Sequence, residues 1–336
     1  MTRQILSFLT LLFIVTSCQP TRNMVAVIKT DGKYGFINYK GKIIIPATFD
    51  YARDFQEGLA PIEINGKTGY INIKGQLIIP ATFDEGTWFS EGLAAVKQNN
   101  KWGYINKSGQ TIIPFQFEDA DEYSDGLATI SKDKTCAYID KTGTIVIPFI
   151  YEDCYYFKNG RAVVTTKEWE HKYIDKTGKV VNEQIPPERQ IPTAYPGHFE
   201  VNGKRGMVNN SGDTIAQAIY QAIGNFHNNR NIVQTNNKWG VIDLAGNYVI
   251  TPKYEDMFHY YDGLAKFQTQ GKWGFVDTAG KVIIEPIYDY VGNFINDRAN
   301  IEINGKQGYV NKKGKVVIKP KFDPFRLYAS FVQVDK

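Results

Sequence analysis

Histidine and cysteine are scarce: four of one and three of the other in 336 residues. His171, His198, His227 and His259 show no metal-ligand spacing with one another or with a Cys, so neither a metal nor a cofactor is expected. No His-Glu-x-x-His run, Gly-x-Ser-x-Gly elbow or phosphate loop is present, which removes the common signatures of hydrolases and nucleotide enzymes. An enzyme therefore survives only as a third reading, an unrecognised hydrolase whose residues meet in space. Charge of one sign is lacking too. With 39 Lys and Arg against 35 Asp and Glu the net charge is +4, and without a basic cluster nucleic acid is not an expected partner. A long apolar run is also missing, since Ile5 to Val15 covers about 11 residues where a bilayer span needs about 20.

What the chain has instead is a period. An Asn or Asp followed three residues later by Gly occurs at Asn38, Asn72, Asn106, Asp140, Asp175, Asn209, Asp243, Asp277 and Asn311, spaced by 34 residues with one slip to 35. A fixed period of this size marks tandem units that bury their apolar faces against their neighbours. The aromatic content of 14% favours pleated, β-rich units.

Each unit reads as three antiparallel strands. The first alternates, as in Ala94/Val96 or Ala60/Ile62/Ile64, so one face is buried. A tight turn follows, written Asn65-Gly66 in one copy and Asn304-Gly305 in another. The second strand, Gly103 to Asn106 in the third unit, ends at the recurring Asn or Asp, whose side chain can bond its own backbone while the Gly supplies a positive φ. The third strand runs to a Pro, at 46, 80, 114 and 148 and one register later at 252, 286 and 320, which should end the strand or lie at an edge.

Beyond the Pro stand an aromatic and an acid, Phe49-Asp50 or Tyr288-Asp289, and six residues past that aromatic a second one: Phe55, Phe89, Tyr123, Phe157, Phe226, Tyr260, Phe294 and Tyr328. Rings repeated so regularly belong to the stacked core. An acid present in seven copies is a turn residue rather than a catalyst.

Lys101-Trp102-Gly103-Tyr104-Ile105, Lys238-Trp239-Gly240 and Lys272-Trp273-Gly274, with weaker copies such as Lys33-Tyr34-Gly35 and Lys67-Thr68-Gly69, resemble the WG or KWG tandem β-repeat family. The resemblance covers residues 24–334 and implies no catalytic residues. The expected fold is all-β, nine three-stranded units in an elongated, curved or superhelical array. Its alternative is a closed propeller-like ring fastened by the terminal strand. The end segment Phe331 to Val334 is expected to cap the last unit.

The first 17 residues have a secretory layout, with Arg3, the short apolar run, and then Val15-Thr16-Ser17-Cys18. That tetrad resembles the lipobox of bacterial lipoproteins, which implies lipid attachment at Cys18, a tether over 18–23, and an envelope location at the outer membrane facing the periplasm. Membrane contact is expected through that anchor only. Cys136 and Cys154 are either small buried thiols or a disulfide, which an exported compartment permits.

The fifth unit, around 168–200, departs most. It carries the one-residue insertion near Glu168-Trp169-Glu170-His171 and a proline-rich stretch, 184–192. A unique partner site would most naturally lie there. Aromatics that the core does not demand are the other candidates for ligand binding: Trp88, Tyr156 and Tyr261, with His259 in the slot of Trp88. The leading expectation is a non-enzymatic lipoprotein scaffold that binds a protein or peptide, and the alternative is a glycan or peptidoglycan binder.

Overall fold

The computed structural model describes residues 24–181, 197–209, 212–325 and 330–334. Cys18, the leader and tether, the stretch 184–192 and Tyr328 lie outside the described residues. Among the described residues every element is a strand, and the strands form nine small antiparallel sheets in chain order.

The second sheet shows the plan of one blade. Leu59–Ile64, Lys67–Asn72 and Leu77–Phe83 form the expected meander. Asn65 (φ 52) and Gly66 (φ 70) make its two-residue hairpin, the left-handed pair that matches strand twist. A fourth strand was not expected. Tyr51–Ala52, directly after the aromatic-acid pair of the preceding unit, pairs with Glu63 and Ile62, so each repeat hands its last residues to the next blade.

The third strand does not stop at its proline. Leu77–Phe83 continues through Pro80 at the outer edge of the sheet, where the missing donor costs no ladder bond. It bulges there, because Tyr70 faces Ile79 whereas Thr68 faces Phe83. This bulge explains the Gly of Lys-Trp-Gly. A Cβ on Gly103 would sit 2.7 Å from the Ile113 carbonyl oxygen, so the folded-over outer strand leaves no space for one.

The Asx turn is as read. In the first blade Asn38 Oδ1 accepts from the amides of Lys40 and Lys42 at 3.0 Å. The turn Gly also rests on the preceding blade: a Cβ on Gly75 would meet Ile45, one on Gly109 Ile79, and one on Gly280 Ile250. The repeating acid ties the hairpin down. Lys67 Nζ donates to Asp84 at 2.5 Å, Lys33 and Lys272 pair likewise with Asp50 and Asp289, and Asp289 also accepts from the Asn304 amide at 2.8 Å. The bonded lysine holds these carboxyls below their ordinary range, as befits a structural role.

The repeated rings form the core between blades. Phe36–Phe55, Tyr70–Phe89, Tyr104–Tyr123, Tyr138–Phe157 and Phe275–Phe294 pair with centroids 4.8 to 5.1 Å apart. Each pair adds about 0.5–1.5 kcal/mol beyond its buried area.

Both arrangements foreseen for the array are tandem all-β repeats, and the chain ends distinguish them. The last blade joins the first by the contacts that join the others. The Asp323 amide donates to the Lys29 carbonyl at 2.8 Å, as that of Asp50 does to Glu63 at 3.0 Å. A Cβ on Gly41 would meet Ile318. Val332–Gln333 pairs with Val25 and Met24. These contacts belong to the propeller-like ring, not to the elongated array. The end segment fastens the first blade instead of capping the last one. Phe331, fully buried, sits 4.9 Å from the Tyr309 ring in the place that the spacing gives to Tyr328.

Cys136 and Cys154 are joined in a disulfide. They lie on Thr135–Ile139 and Asp153–Cys154, so the bond stays within the fourth repeat of the sequence and, because that repeat hands its last residues onward, joins the fourth blade to the fifth.

Candidate functional site

After its short strand each repeat makes a tight loop, 53–58 in the second blade, closed by reciprocal main-chain bonds between Gln56 and Leu59. Neighbouring loops touch. The Gly92 amide donates to Glu57 at 3.0 Å, that of Gly126 to Glu91 at 3.1 Å, and that of Gly160 to Asp125 at 2.7 Å. Such links join the loops of blades two to five; Trp88 and Tyr156 stand on these loops, in blades three and five, and His259 and Tyr261 on the corresponding loop of blade eight.

The loops do not bring these four together. Trp88 is half-buried, its Nε1 donating to the Asp54 carbonyl at 3.0 Å and its ring 4.8 Å from the Arg53 guanidinium. It is thus a wall between blades more than an open platform. Tyr156 and Tyr261 are exposed, at 62% and 48%, and suit contact with a partner. Burial pushes the Asp54 carboxyl up to about 8, so this acid is neutral at pH 7.

His259 meets a second histidine. Its ring lies 4.5 Å from that of His227, and it packs on Gly224, where a Cβ would be 2.6 Å from its Cε1. His198 Nε2 lies 2.9 Å from the Gly224 carbonyl oxygen. Among the described residues no group of His, Cys, Asp or Glu is arranged to hold a metal. Burial, then the His227 charge, holds the His259 pKa below its ordinary 6.5. A base whose folded pKa is lowered stabilises the fold above its unfolded pKa, and that stability is lost as pH falls below about 6.5. Thermal melts should therefore drop between pH 7 and 5, and His259→Gln should flatten the drop; an equal slope in the variant would refute the coupling.

Two features escaped sequence reasoning. Trp169, in the inserted residue's hairpin, is 73% exposed with φ +62, a conformation uncommon for a bulky non-Gly residue. Tyr155, on the same blade, is 54% exposed. The second feature is a cavity of about 160 Å³ between blades two and three, lined in part by Arg53, Glu63, Thr68, Gly86 and Trp102. The insertion and the weak copy Lys67-Thr68-Gly69 were the visible signals for the two.

A crystal structure of the eukaryotic initiation factor is similar to the chain with a TM-score of 0.54 at 11% identity, over 90% of this chain and 96% of that one. BamB from Moraxella catarrhalis (0.39, 12%, over 88% and 90%) and the WD40 β-propeller domain of Doa1 (0.30, 10%, over 83% and 86%) are similar more weakly, at scores too low to bear on the fold. No curated protein matches the chain. The profile described as WG containing repeat matches residues 34–67, 69–102, 102–136, 137–167, 206–239, 239–273, 273–306 and 308–324, and these windows span most of the described blades. The chain therefore belongs to the WG-containing repeat family.

Proposed function

We propose that the protein is a non-enzymatic scaffold of the bacterial cell envelope, anchored by lipid at Cys18, whose fifth blade receives a protein or peptide partner. The observation that carries this reading is Trp169. A large ring set out into solvent on a left-handed backbone costs about 1–3 kcal/mol of strain, and folding gains nothing from its exposure. Trp and Tyr are the residues around which interfaces concentrate binding energy, and Tyr155 and Tyr156 share the blade. The disulfide to the fourth blade braces this unit. The repeating acids Asp50, Asp84 and Asp289 are occupied in holding hairpins, which suits a scaffold better than a catalyst.

Capture from envelope extract with the full chain as bait tests the reading. A specific protein should be retained by the parent and lost with Trp169→Ala or Tyr156→Ala. Retention unchanged in both variants would remove the fifth blade from the account.

A second reading, binding of a glycan, is favoured by the cavity between blades two and three, which no side chain of the described residues fills.

A further inference from the structure

The ring's internal repetition tells what that cavity is. Each residue around it has a counterpart 205 positions later, at the junction of blades eight and nine. There the space is filled. Lys266 lays its ammonium 4.2 Å from the Phe258 ring centroid, 5.9 Å from that of Trp273 and 6.0 Å from that of Tyr290. In the second blade the counterpart of Lys266 is Pro61, that of Trp273 is Thr68, and that of Val291 is Gly86. Pro61 and Thr68, smaller than their counterparts, leave one hole of about 160 Å³, whereas the place of a side chain on Gly86 is taken by the Tyr70 hydroxyl and Thr68. The residues around the hole stand on paired strands of two sheets.

The groups around the hole set its chemistry. Arg53 comes in from the Phe258 position with its guanidinium 5.9 Å from the Tyr51 ring centroid and 4.8 Å from that of Trp88, and its charge also acts on the Glu122 carboxyl. Glu63 and Glu85 lie on the other walls, and Glu85 is neutralised by Lys97 at 2.6 Å. Thr68 and Thr87 offer hydroxyls and Trp102 a ring. An anion would meet Glu63, and a cation would meet Arg53. A wholly apolar guest would strand both charges, at the cost of an unpaired buried group. What remains is an uncharged molecule that accepts from a guanidinium, donates to a carboxylate and lays C–H groups on an aromatic ring.

We infer that the cavity between blades two and three binds a single sugar unit, held between Arg53 and Glu63 and stacked on Trp102. The volume is below the usual range for drug-sized ligands, roughly 300–1,000 Å³, so one ring enters and a longer glycan would project from the opening. This inference rests on the glycan reading and is independent of the docking surface on blade five.

Saturation-transfer NMR on the full chain tests it, with the methyl glycosides of glucose, galactose and N-acetylglucosamine at millimolar concentration, and with acetate and methylammonium as charged probes. At least one glycoside should receive saturation. Thr68→Trp, which restores the ring found at position 273, should abolish the transfer. Arg53→Gln and Glu63→Gln should each weaken binding by about tenfold or more, roughly one lost charge-assisted hydrogen bond. Tyr156→Ala and Trp169→Ala should leave it unchanged, which separates this site from the blade-five surface. Circular dichroism identifies any variant that fails to fold, and the two Gln variants, close in shape to the parent, decide the matter if Thr68→Trp does. Three results would overturn the inference: no glycoside receiving saturation, both Gln variants binding as the parent does, or a charged probe displacing the sugar.

Discussion

Phe331→Ala should destabilise the ring by about 3–5 kcal/mol, the range for emptying a buried aromatic site, although the residue lies six positions from the end of the chain. Phe331 is fully buried, stacks on Tyr309 and Tyr39, and its carbonyl accepts from Asn296 at 2.8 Å. Tyr309 stands on a strand of the ninth blade, Asn296 in the loop before Arg298–Ile303 and Tyr39 in the turn after Lys33–Asn38, so this residue secures the junction of the ninth and first blades. Urea unfolding measures the loss. The comparison that matters is with Phe89→Ala, an equally buried ring at an ordinary junction. If the terminal position were a loose cap, Phe331→Ala would cost less than about 1 kcal/mol, and the closed ring would have to be abandoned.

Replacing both Cys136 and Cys154 with serine should cost about 3 kcal/mol, the expectation for a bond closing a loop of this length, with a sequence separation of 18. The positions explain why a disulfide is there. At the preceding junction the same two slots hold Trp102, nearly buried, and Ala120, a large group against a small one. The fourth and fifth blades replace that packing with a covalent link. Cys136→Trp with Cys154→Ala should consequently recover part of the stability lost in the double serine variant. Equal midpoints for the two double variants in urea would show that the slots are not equivalent. Reduction should also leave the parent less stable than oxidation does, with the loss absent from both double variants.

The local features were legible because local chemistry determines them. Asn38 with Gly41 specified an Asx turn, Asn65-Gly66 a two-residue hairpin, and the rings from Phe55 to Phe294 a core, and each is present. The two-residue strands such as Tyr51–Ala52 were not legible, since two residues carry no periodicity and their partners are a dozen positions away. Ring closure leaves no local trace at all. It is decided by pairing between Met24 and Gln333, and by a slip of three residues that puts Phe331 where Tyr328 was expected. The candidate aromatics were found on corresponding loops of their blades, but sequence could not show that Trp88 is engaged with Asp54 and Arg53 while Tyr156 is open. The cavity was least legible. It is made by what Pro61 and Thr68 lack, and an absence of volume acquires meaning only beside Lys266 and Trp273 in the same frame.

The pairing of Val332–Gln333 with Met24–Val25 also orders events in time. During synthesis the first sheet is made long before its distant strand partner emerges. Until then that sheet exposes unpaired main-chain groups, a template for association with other chains. Contacts between residues so distant in sequence form slowly. The growing chain must therefore carry an unfinished margin until residues 332–333 are made, and a chaperone or a tethering surface that shields residues 24–30 in this interval would act on yield without touching the finished molecule.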